Sequence, residues 1–343
     1  MNIKFGRRFF LIILVVMVVS GIITLHLRTD SSSVADNPVT STTMTRFLMD
    51  TAIVIKAVGP DSENAVNEAF AEIERVEAVF SRHLPDSQVA KINQHAGEWV
   101  AVSPEVFELL QKGIYYGRLS GGAFDITIGS VIELWGFGSG INRVPDEDEL
   151  RQARQYVDIS KVEIDEERGR VRIPQGTVLD FGGIAKGYAV DLCKQVLKEN
   201  RVISAMISAG GDIAVVGVKE NGNPWRVGIQ HPRISTDILA VVSLVDQTIV
   251  TSGDYERFFI EEGVRFHHII DPATGFPARG VISVTIIADS AADGDALSTA
   301  VFVLGLDQGK ELIERLDGIE AVIVDEDGDA WVSSGLKDEI ELL

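Results

Sequence analysis

The sequence predicts an α+β fold, with one large domain of mixed helices and sheets behind an N-terminal membrane anchor. Apolar residues recur at intervals of three and four in several segments, which is the spacing of amphipathic helices. Short β-branched segments occur between them, but without the strict strand–helix alternation that a doubly wound sheet requires. The 343 residues are 45% hydrophobic and 24% charged, a composition typical of a folded globular protein.

Each element follows from a local pattern. Residues 62–80 carry an apolar stripe at helical spacing behind a Pro-Asp-Ser start, and residues 104–119 lie between Ser103-Pro104 and Gly121-Gly122. The predicted helices are 62–80, 104–119, 184–198, 293–304 and 310–316. The predicted strands, from their β-branched and apolar content, are 49–57, 162–164, 171–173, 205–208, 213–218, 225–229, 239–245, 248–251, 281–288, 319–324 and 330–332.

The charge balance excludes some classes of partner. Lys and Arg number 31 against 51 Asp and Glu, which leaves a net charge of −20. So acidic a surface repels a nucleic-acid backbone, and we expect no nucleic acid as a partner. A bound polyphosphate would need a metal ion or backbone donors to offset the same repulsion. The single cysteine, Cys193, excludes an internal disulfide and a cysteine-rich zinc site.

The N-terminus indicates the compartment. Basic residues precede an uncharged apolar run, Phe9 to Leu25, of roughly 17 residues, the short end of what spans a bilayer. We expect residues 1–28 to be a signal anchor with its amino end in the cytoplasm, and a cleaved signal peptide is the alternative because Ser33-Val34-Ala35 has a small-x-small form. We expect residues 29–45 to be a flexible tether and residues 46–343 to be the folded domain. The expected location is the bacterial inner membrane, with the domain on the periplasmic side.

Three glycine-rich turns carry an acidic residue. In residues 179–191 (LDFGGIAKGYAVD), an apolar strand end runs through Asp180 and two glycines into a helix. Glycines at such a turn let backbone amides approach a phosphate, and the helix N-terminus favours negative charge. The other two turns are 121–127 (GGAFDIT) and 208–212 (SAGGD). Taken alone, each is better explained as an ordinary turn or helix cap.

A fourth cluster suits a hard cation. Asp295 and Thr299 are four residues apart on a predicted helix, so both side-chain oxygens share one face. A carboxylate with a hydroxyl suits Mg²⁺, which retains waters and takes further ligands from a phosphate. The alternative is a surface helix whose first turn is rich in acids, which the helix dipole favours.

A fifth cluster contains adjacent histidines, His267 and His268, before the turn DPATG at 271–275. Neighbouring residues of a strand point to opposite faces, so only one imidazole can face a given site. No further Cys or His lies nearby in sequence, so a zinc site is poorly supported. A neutral imidazole beside an attacking hydroxyl would serve as a general base, and packing against the turn is the alternative.

In their order along the chain, these segments resemble the ApbE family, the FAD:protein FMN transferases. The resemblance rests on FLMDT at 47–51, Phe80-Ser81 with Ser87 and Asn93, GAFD at 122–125, Trp135-Gly136, LDFGGIAKGYA at 179–189, AGGD at 209–212, TSGDYER at 251–257, HIIDPATG at 268–275 and ADGDALSTA at 292–300. It covers nearly all of the chain beyond the N-terminal segment, and LDFGGIAKGYA is its most family-specific part.

The resemblance implies an activity. Family members bind FAD and Mg²⁺ and attach FMN through a phosphoester to a Thr or Ser of a target flavoprotein. Their targets include exported subunits of Rnf-type and Na⁺-translocating NADH:quinone oxidoreductase (Nqr) complexes, which suits an anchored, outward-facing enzyme. By resemblance, the flavin-nucleotide contacts map to Met49, Ala123, Phe124, Asp125, Asp180, Lys186 and Ile269. The metal ligands map to the side chains of Asp295 and Thr299 with the carbonyl of Ala185, and His268 maps to the catalytic base.

Two positions depart from the family pattern. Asp50 stands where a glycine more often follows the methionine, and His83 stands where many members place an aromatic that stacks on the isoalloxazine. An imidazole stacks only weakly, and Phe80 is a nearby substitute. Two other functions remain open from the sequence: hydrolysis of FAD to FMN and AMP, and exported FAD carriage without catalysis. Acceptor dependence distinguishes the first from transfer, while a carrier needs neither metal nor base.

Overall fold

A computed structural model of the protein describes residues 38–137 and 141–343. The predicted anchor (1–28) and the first part of the predicted tether lie outside the described residues. Within the described ranges, no helix is both long enough and apolar enough to cross a membrane. Residues 39–343 form one compact unit of mixed helices and strands, as the sequence predicted.

The helices of the described residues are α1 (Ser62–Phe80), α2 (Gln88–Gln94), α3 (Pro104–Leu119), α4 (Gly129–Trp135), α5 (Glu147–Arg154), α6 (Ala185–Glu199) and α7 (Ala291–Ile313), with a 3-10 turn at Ile159–Lys161. The strands are β1 (Val39–Leu48), β2 (Thr51–Pro60), β3 (Val100–Ala101), β4 (Glu163–Asp165), β5 (Arg170–Arg172), β6 (Ser204–Ala209), β7 (Asp212–Val216), β8 (Trp225–Gln230), β9 (Ile238–Leu244), β10 (Thr248–Gly253), β11 (Phe258–Glu261), β12 (Val264–His267), β13 (Val281–Ala288), β14 (Glu320–Asp325), β15 (Ala330–Val332) and β16 (Ile340–Leu342).

The central element is an eight-stranded antiparallel sheet in the order β1-β2-β6-β7-β10-β13-β14-β15. Helices α1, α6 and α7 pack on one face, where the main core includes Phe70, Leu297 and Phe302. The three-stranded sheet β16-β9-β8 packs on the other face, and Trp225 lies in that second core. β13 is buried along its whole length because both of its faces are covered.

The predicted tether is wrong over residues 39–45, which form most of β1. This strand pairs in register with β2 from Val39↔Pro60 to Leu48↔Thr51. Its Ser- and Thr-rich sequence indicated a linker, but alternate residues of β1 are exposed, as expected at the edge of a sheet. The folded unit therefore begins at residue 39 rather than 46.

The helix at the C-terminal end of the domain also differs from the prediction. Residues 293–304 and 310–316 were expected to be separate helices, whereas α7 continues to Ile313 across a break at Gly305. Gly305 has φ 74° and ψ −175°, a conformation open to glycine but strained for other residues. The interruption between the two predicted helices is thus one glycine rather than a loop.

Two tight turns lie side by side where neighbouring strands of the large sheet end. Met49 and Asp50 join β1 to β2 with φ of 50° and 59°, and Gly210 and Gly211 join β6 to β7 with φ of 54° and 101°. A two-residue hairpin with two left-handed positions matches the twist of its strands. A Cβ on Gly210 would lie 2.5 Å from Oγ1 of Thr51, so glycine permits this approach. Asp50, one of the two residues that depart from the family pattern, therefore lies in a turn. Strand β2 begins two residues later than predicted.

Helices α6 and α7 meet at their N-terminal ends. A Cβ on Gly187 would lie 2.2 Å from the backbone oxygen of Ala291, so only glycine allows this contact. The carboxylate of Asp191 accepts hydrogen bonds from the amides of Ala291 and Ala292, at 2.7 and 2.9 Å. Asp191 thereby caps α7 from the neighbouring helix and sets the position of the side chains one turn farther along.

Candidate active site

The centre of the site is a half-buried cation, Lys186, beside two carboxylates. Lys186, in the first turn of α6, places Nζ 2.5 Å from Oδ2 of Asp212 at the start of β7. Asp295 of α7 accepts a hydrogen bond from the Gly187 amide at 3.0 Å. Oδ1 of Asp212 has no hydrogen-bond partner among the described residues. The strand-to-helix turn, the β6–β7 turn and α7, which are far apart in sequence, converge here.

Burial and charge act against each other in this cluster. Burial raises the pKa of Asp212 and of Asp295 above the usual carboxyl range, and the Lys186 ammonium opposes that shift. Burial alone would lower the pKa of Lys186, but the attraction of the two carboxylates raises it overall. Lys186 therefore stays charged at neutral pH.

The three predicted metal-binding oxygens are on the elements that this cluster joins. Asp295 and Thr299 are one turn apart on α7, and Ala185 is the first residue of α6. A Cβ on Gly183 would lie 3.4 Å from Oγ1 of Thr299, so this hydroxyl lies against the glycine turn. The bond from the Gly187 amide places the Asp295 carboxylate at the same turn.

The chemistry of these donors fits a hard cation that keeps part of its water shell. In the described part of the chain, no group of three His, Cys, Asp or Glu side chains could hold a metal ion. One carboxylate with a hydroxyl and a carbonyl is instead the sparse oxygen set that Mg²⁺ accepts when a phosphate supplies further ligands. The roles of Ala185, Asp295 and Thr299 as ligands stay predictions.

Asp180 is held by a residue that sequence reasoning missed. Nε of Arg82 lies 2.7 Å from Oδ2 of Asp180, and the Gly182 amide donates to Oδ1 at 2.7 Å. Asn93 exchanges two hydrogen bonds with the backbone of Leu179, at 2.8 and 2.9 Å. The loop after α1, through Arg82, and helix α2, through Asn93, therefore hold the glycine turn in place. Nothing in the local sequence predicted a role for Arg82, beside the Phe80-Ser81 motif, because its partner Asp180 is about a hundred residues away.

The GAFD segment supports the same turn from the other side. Asp125 accepts hydrogen bonds from the amide and hydroxyl of Thr127, at 2.7 and 2.6 Å, and from the Ile159 amide at 3.2 Å. Burial raises the pKa of Asp125, against the effect of these donors. Phe124 is buried, with a ring carbon 3.1 Å from where a Gly183 Cβ would lie. Asp125 thus shapes the loop that presents Ala123 and Phe124.

The remaining predicted flavin contacts lie in two places. The Met49 amide donates to the Glu77 carboxylate at 3.0 Å, which ties the β1–β2 turn to α1. Ile269 is buried, and its carbonyl accepts a hydrogen bond from the Ala278 amide at 3.0 Å.

His83, at the position of the family's stacking aromatic, is exposed, whereas Phe80 is buried and packs edge-on against Phe181. Phe80 is therefore part of the core, and it does not replace the missing aromatic.

The two histidines have different environments, and only His267 belongs to a strand, β12. Nε2 of His267 lies 2.9 Å from the Ala278 carbonyl, and its Nδ1 accepts the Ile269 amide at 3.3 Å. Nδ1 of His268 is buried without a hydrogen-bond partner among the described residues. Burial, followed by the charge of Arg257, lowers the pKa of His268 to about 3. His267 is a structural residue, and His268 is a neutral imidazole with an unused ring nitrogen.

We expect His267 to make folding sensitive to acid. Burial lowers its pKa from 6.5 to about 4, so the unfolded chain binds a proton first as the pH falls. As the pH falls from 6.5 to about 4, the wild type should lose up to about 1.4 kcal/mol of unfolding free energy per pH unit relative to a His267→Gln variant. Urea unfolding of both proteins at several pH values measures the difference, and curves that stay parallel would contradict it.

Taken together, the fold and site define a class: an α+β enzyme-like domain whose glycine turn, helix N-terminus and oxygen donors suit a nucleotide pyrophosphate. The ApbE family model matches residues 49–323. The chain belongs to the ApbE family, which confirms the predicted membership.

Named relatives agree with this assignment. The chain is 37% identical over 299 residues to the FAD:protein FMN transferase of Treponema pallidum, covering 81% of this chain and 82% of the relative. It is 33% identical to that of Klebsiella pneumoniae, covering 84% and 90%. Among solved structures, the ApbE protein of Thermotoga maritima gives a TM-score of 0.83 at 36% identity, covering 88% of this chain and 99% of that one. The flavin transferase ApbE of Vibrio cholerae gives 0.79 at 30% identity, covering 88% and 100%.

Proposed function

We propose that this protein is a Mg²⁺-dependent FAD:protein FMN transferase, which moves the FMN part of FAD to a Thr or Ser hydroxyl of target flavoproteins and releases AMP. The observation that carries the proposal is His268, whose buried Nδ1 has no hydrogen-bond partner among the described residues and whose pKa is lowered by burial. Membership of a family whose named relatives are FAD:protein FMN transferases supports the substrate and the reaction.

The residues of the site have separate tasks in this reaction. The turn from Asp180 to Lys186 offers backbone amides and a helix N-terminus to the FAD pyrophosphate. The Lys186 ammonium, held by Asp212, offsets phosphate charge. Asp295, Thr299 and the Ala185 carbonyl would hold Mg²⁺, which when bound supplies charge neutralisation at the pyrophosphate.

His268 handles the proton. As the acceptor hydroxyl oxygen forms a bond to the FMN phosphorus, the bond from that phosphorus to the bridging oxygen breaks and AMP departs with the bond's electrons. The hydroxyl proton passes to the imidazole of His268, which is neutral at physiological pH because its pKa is lowered by burial. FMN then remains on the acceptor as a phosphoester.

We also propose the setting of the reaction. Residues 1–28 anchor the chain in the bacterial inner membrane, with the domain on the periplasmic side. Support comes from the basic residues before an uncharged apolar run. Exported subunits of Rnf- or Nqr-type redox complexes, or similar flavoproteins, would then be within reach as acceptors.

The test is acceptor-dependent flavinylation by the full chain. The protein in detergent is mixed with FAD, Mg²⁺ and a flavin-free exported flavoprotein subunit of the same organism, with and without EDTA. We expect the intact mass of the acceptor to increase by one FMN and EDTA to abolish the increase. FMN and AMP formed without an acceptor would indicate a hydrolase, and unchanged FAD would indicate a carrier. Truncation at residue 45 should be avoided, because it removes most of β1.

A further inference from the structure

The β11–β12 hairpin leads directly into the proposed base. β12 ends at His267, and the His268 amide donates to the carbonyl of Arg257, just before β11, at 3.0 Å. The two strands pair only with each other among the described residues. If the proposed function holds, a segment of the acceptor protein must reach His268, so the surface beside this hairpin is where an acceptor would first be bound.

One face of the hairpin carries two exposed apolar side chains, Phe258 and Ile260. The pairs Phe258↔His267 and Ile260↔Arg265 place these side chains on one face, since alternate residues share a face. Phe258 is 38% exposed and Ile260 is 63% exposed. The opposite face is anchored instead: Phe259 and Phe266 pack against Trp135 in an aromatic cluster. The exposed face is therefore presented on a fixed element.

A cavity of about 260 Å³ opens on that same face and contains three arginines, Arg233, Arg265 and Arg279. Arg233 binds the buried carboxylate of Asp254 through two contacts, at 2.6 and 2.8 Å. Arg265 shares that carboxylate at 3.1 Å and stacks on Phe258, with its central carbon 4.3 Å from the ring centre. The cavity and the apolar face thus form one continuous surface, which we call the hairpin patch.

The charges of the hairpin patch leave one cation without an anionic partner. Asp254 is occupied by two guanidinium groups, and Glu326 accepts the Gly280 amide at 2.8 Å. Arg279 donates a hydrogen bond to the carbonyl of Arg265 at 2.9 Å. Within the described ranges, Arg279 forms no ion pair with a carboxylate. In a chain of net charge −20, an available guanidinium in a cavity is complementary to an acidic group of a partner.

We propose that the hairpin patch binds the acceptor segment of the target flavoprotein, and this inference rests on the proposed function. An acceptor carboxylate pairs with Arg279, and apolar acceptor side chains cover Phe258 and Ile260. His268 directly follows His267, which lines the cavity and ends β12.

The experiment compares variants of the full-length enzyme on the acceptor subunit that the wild type flavinylates. For Arg279→Gln and for Ile260→Ser we expect KM for the acceptor to rise about tenfold, which corresponds to about 1.4 kcal/mol, with kcat and FAD affinity unchanged. Arg315 is an exposed arginine just after α7, and Arg315→Gln is the matched control that should leave KM unchanged. A charge-reversed acceptor carboxylate should restore binding to Arg279→Glu.

The outcomes separate the two proposals. If the wild type transfers FMN but both variants keep the wild-type KM, the docking inference is wrong and the proposed function stands. If the wild type flavinylates no exported subunit while binding FAD, the proposed function itself fails. If Ile260→Ser changes the sedimentation of the free enzyme but not KM, a second copy of the chain covers the hairpin patch and the acceptor does not.

Discussion

Replacing His268 with alanine should lower the rate of FMN transfer by about 10²- to 10⁴-fold, the usual contribution of a positioned general base. The imidazole is the proposed proton acceptor, and Nδ1 makes no hydrogen bond among the described residues that its loss would break. FAD binding should therefore persist. Single-turnover transfer followed by intact mass measures the rate, and flavin fluorescence measures the binding.

Two variants make this result specific. His95→Ala removes an exposed imidazole whose one hydrogen bond among the described residues is with the Lys91 carbonyl of its own helix, so it should transfer at the wild-type rate. His267→Gln should mainly change stability, because both ring nitrogens of His267 bond the backbone. Unchanged transfer by folded His268→Ala would remove His268 from the base role and would leave the proposed mechanism without a proton acceptor.

Replacing Asp295 with asparagine should lower transfer by about 10²- to 10³-fold at ordinary Mg²⁺ concentrations, because metal stabilisation of phosphate charge is worth several kcal/mol. Asp295 supplies the only carboxylate of the proposed ligand set. Its loss also removes one of the two anions beside Lys186, although the amide oxygen can still accept from Gly187. The Mg²⁺ concentration for half-maximal activity should rise.

Asp293 provides the matched control for this prediction. It lies two residues earlier on α7, but its carboxylate pairs with Lys112 at 2.6 Å, away from the Lys186 cluster. Asp293→Asn should therefore keep the wild-type Mg²⁺ dependence. If the two variants respond to Mg²⁺ alike, or if EDTA never affects the wild type, the assignment of Asp295 as a metal ligand is wrong.

Local patterns were sufficient where a segment is periodic and covered on one side. The stripe at 62–80 is α1, with the same bounds, because each apolar residue of the stripe is buried in the core. Local patterns failed where polar composition and structure disagree. β1 has the composition of a tether but is an edge strand. β11 and β12 are short strands that aromatic contacts with Trp135 hold in place, and no alternation of apolar residues in their sequence predicted them.

For the site, the sequence by itself determined the family, the motifs and the residue types that suit a pyrophosphate, a hard cation and a base. It determined them because glycine turns, helix starts and the alternation of His267 and His268 are properties of neighbouring residues. Only the tertiary structure decided which of these groups act together. The contacts of Lys186 with Asp212 and of Asp180 with Arg82 join residues distant in sequence. Burial, which sets the charge state of His268, is likewise a property of the packed chain.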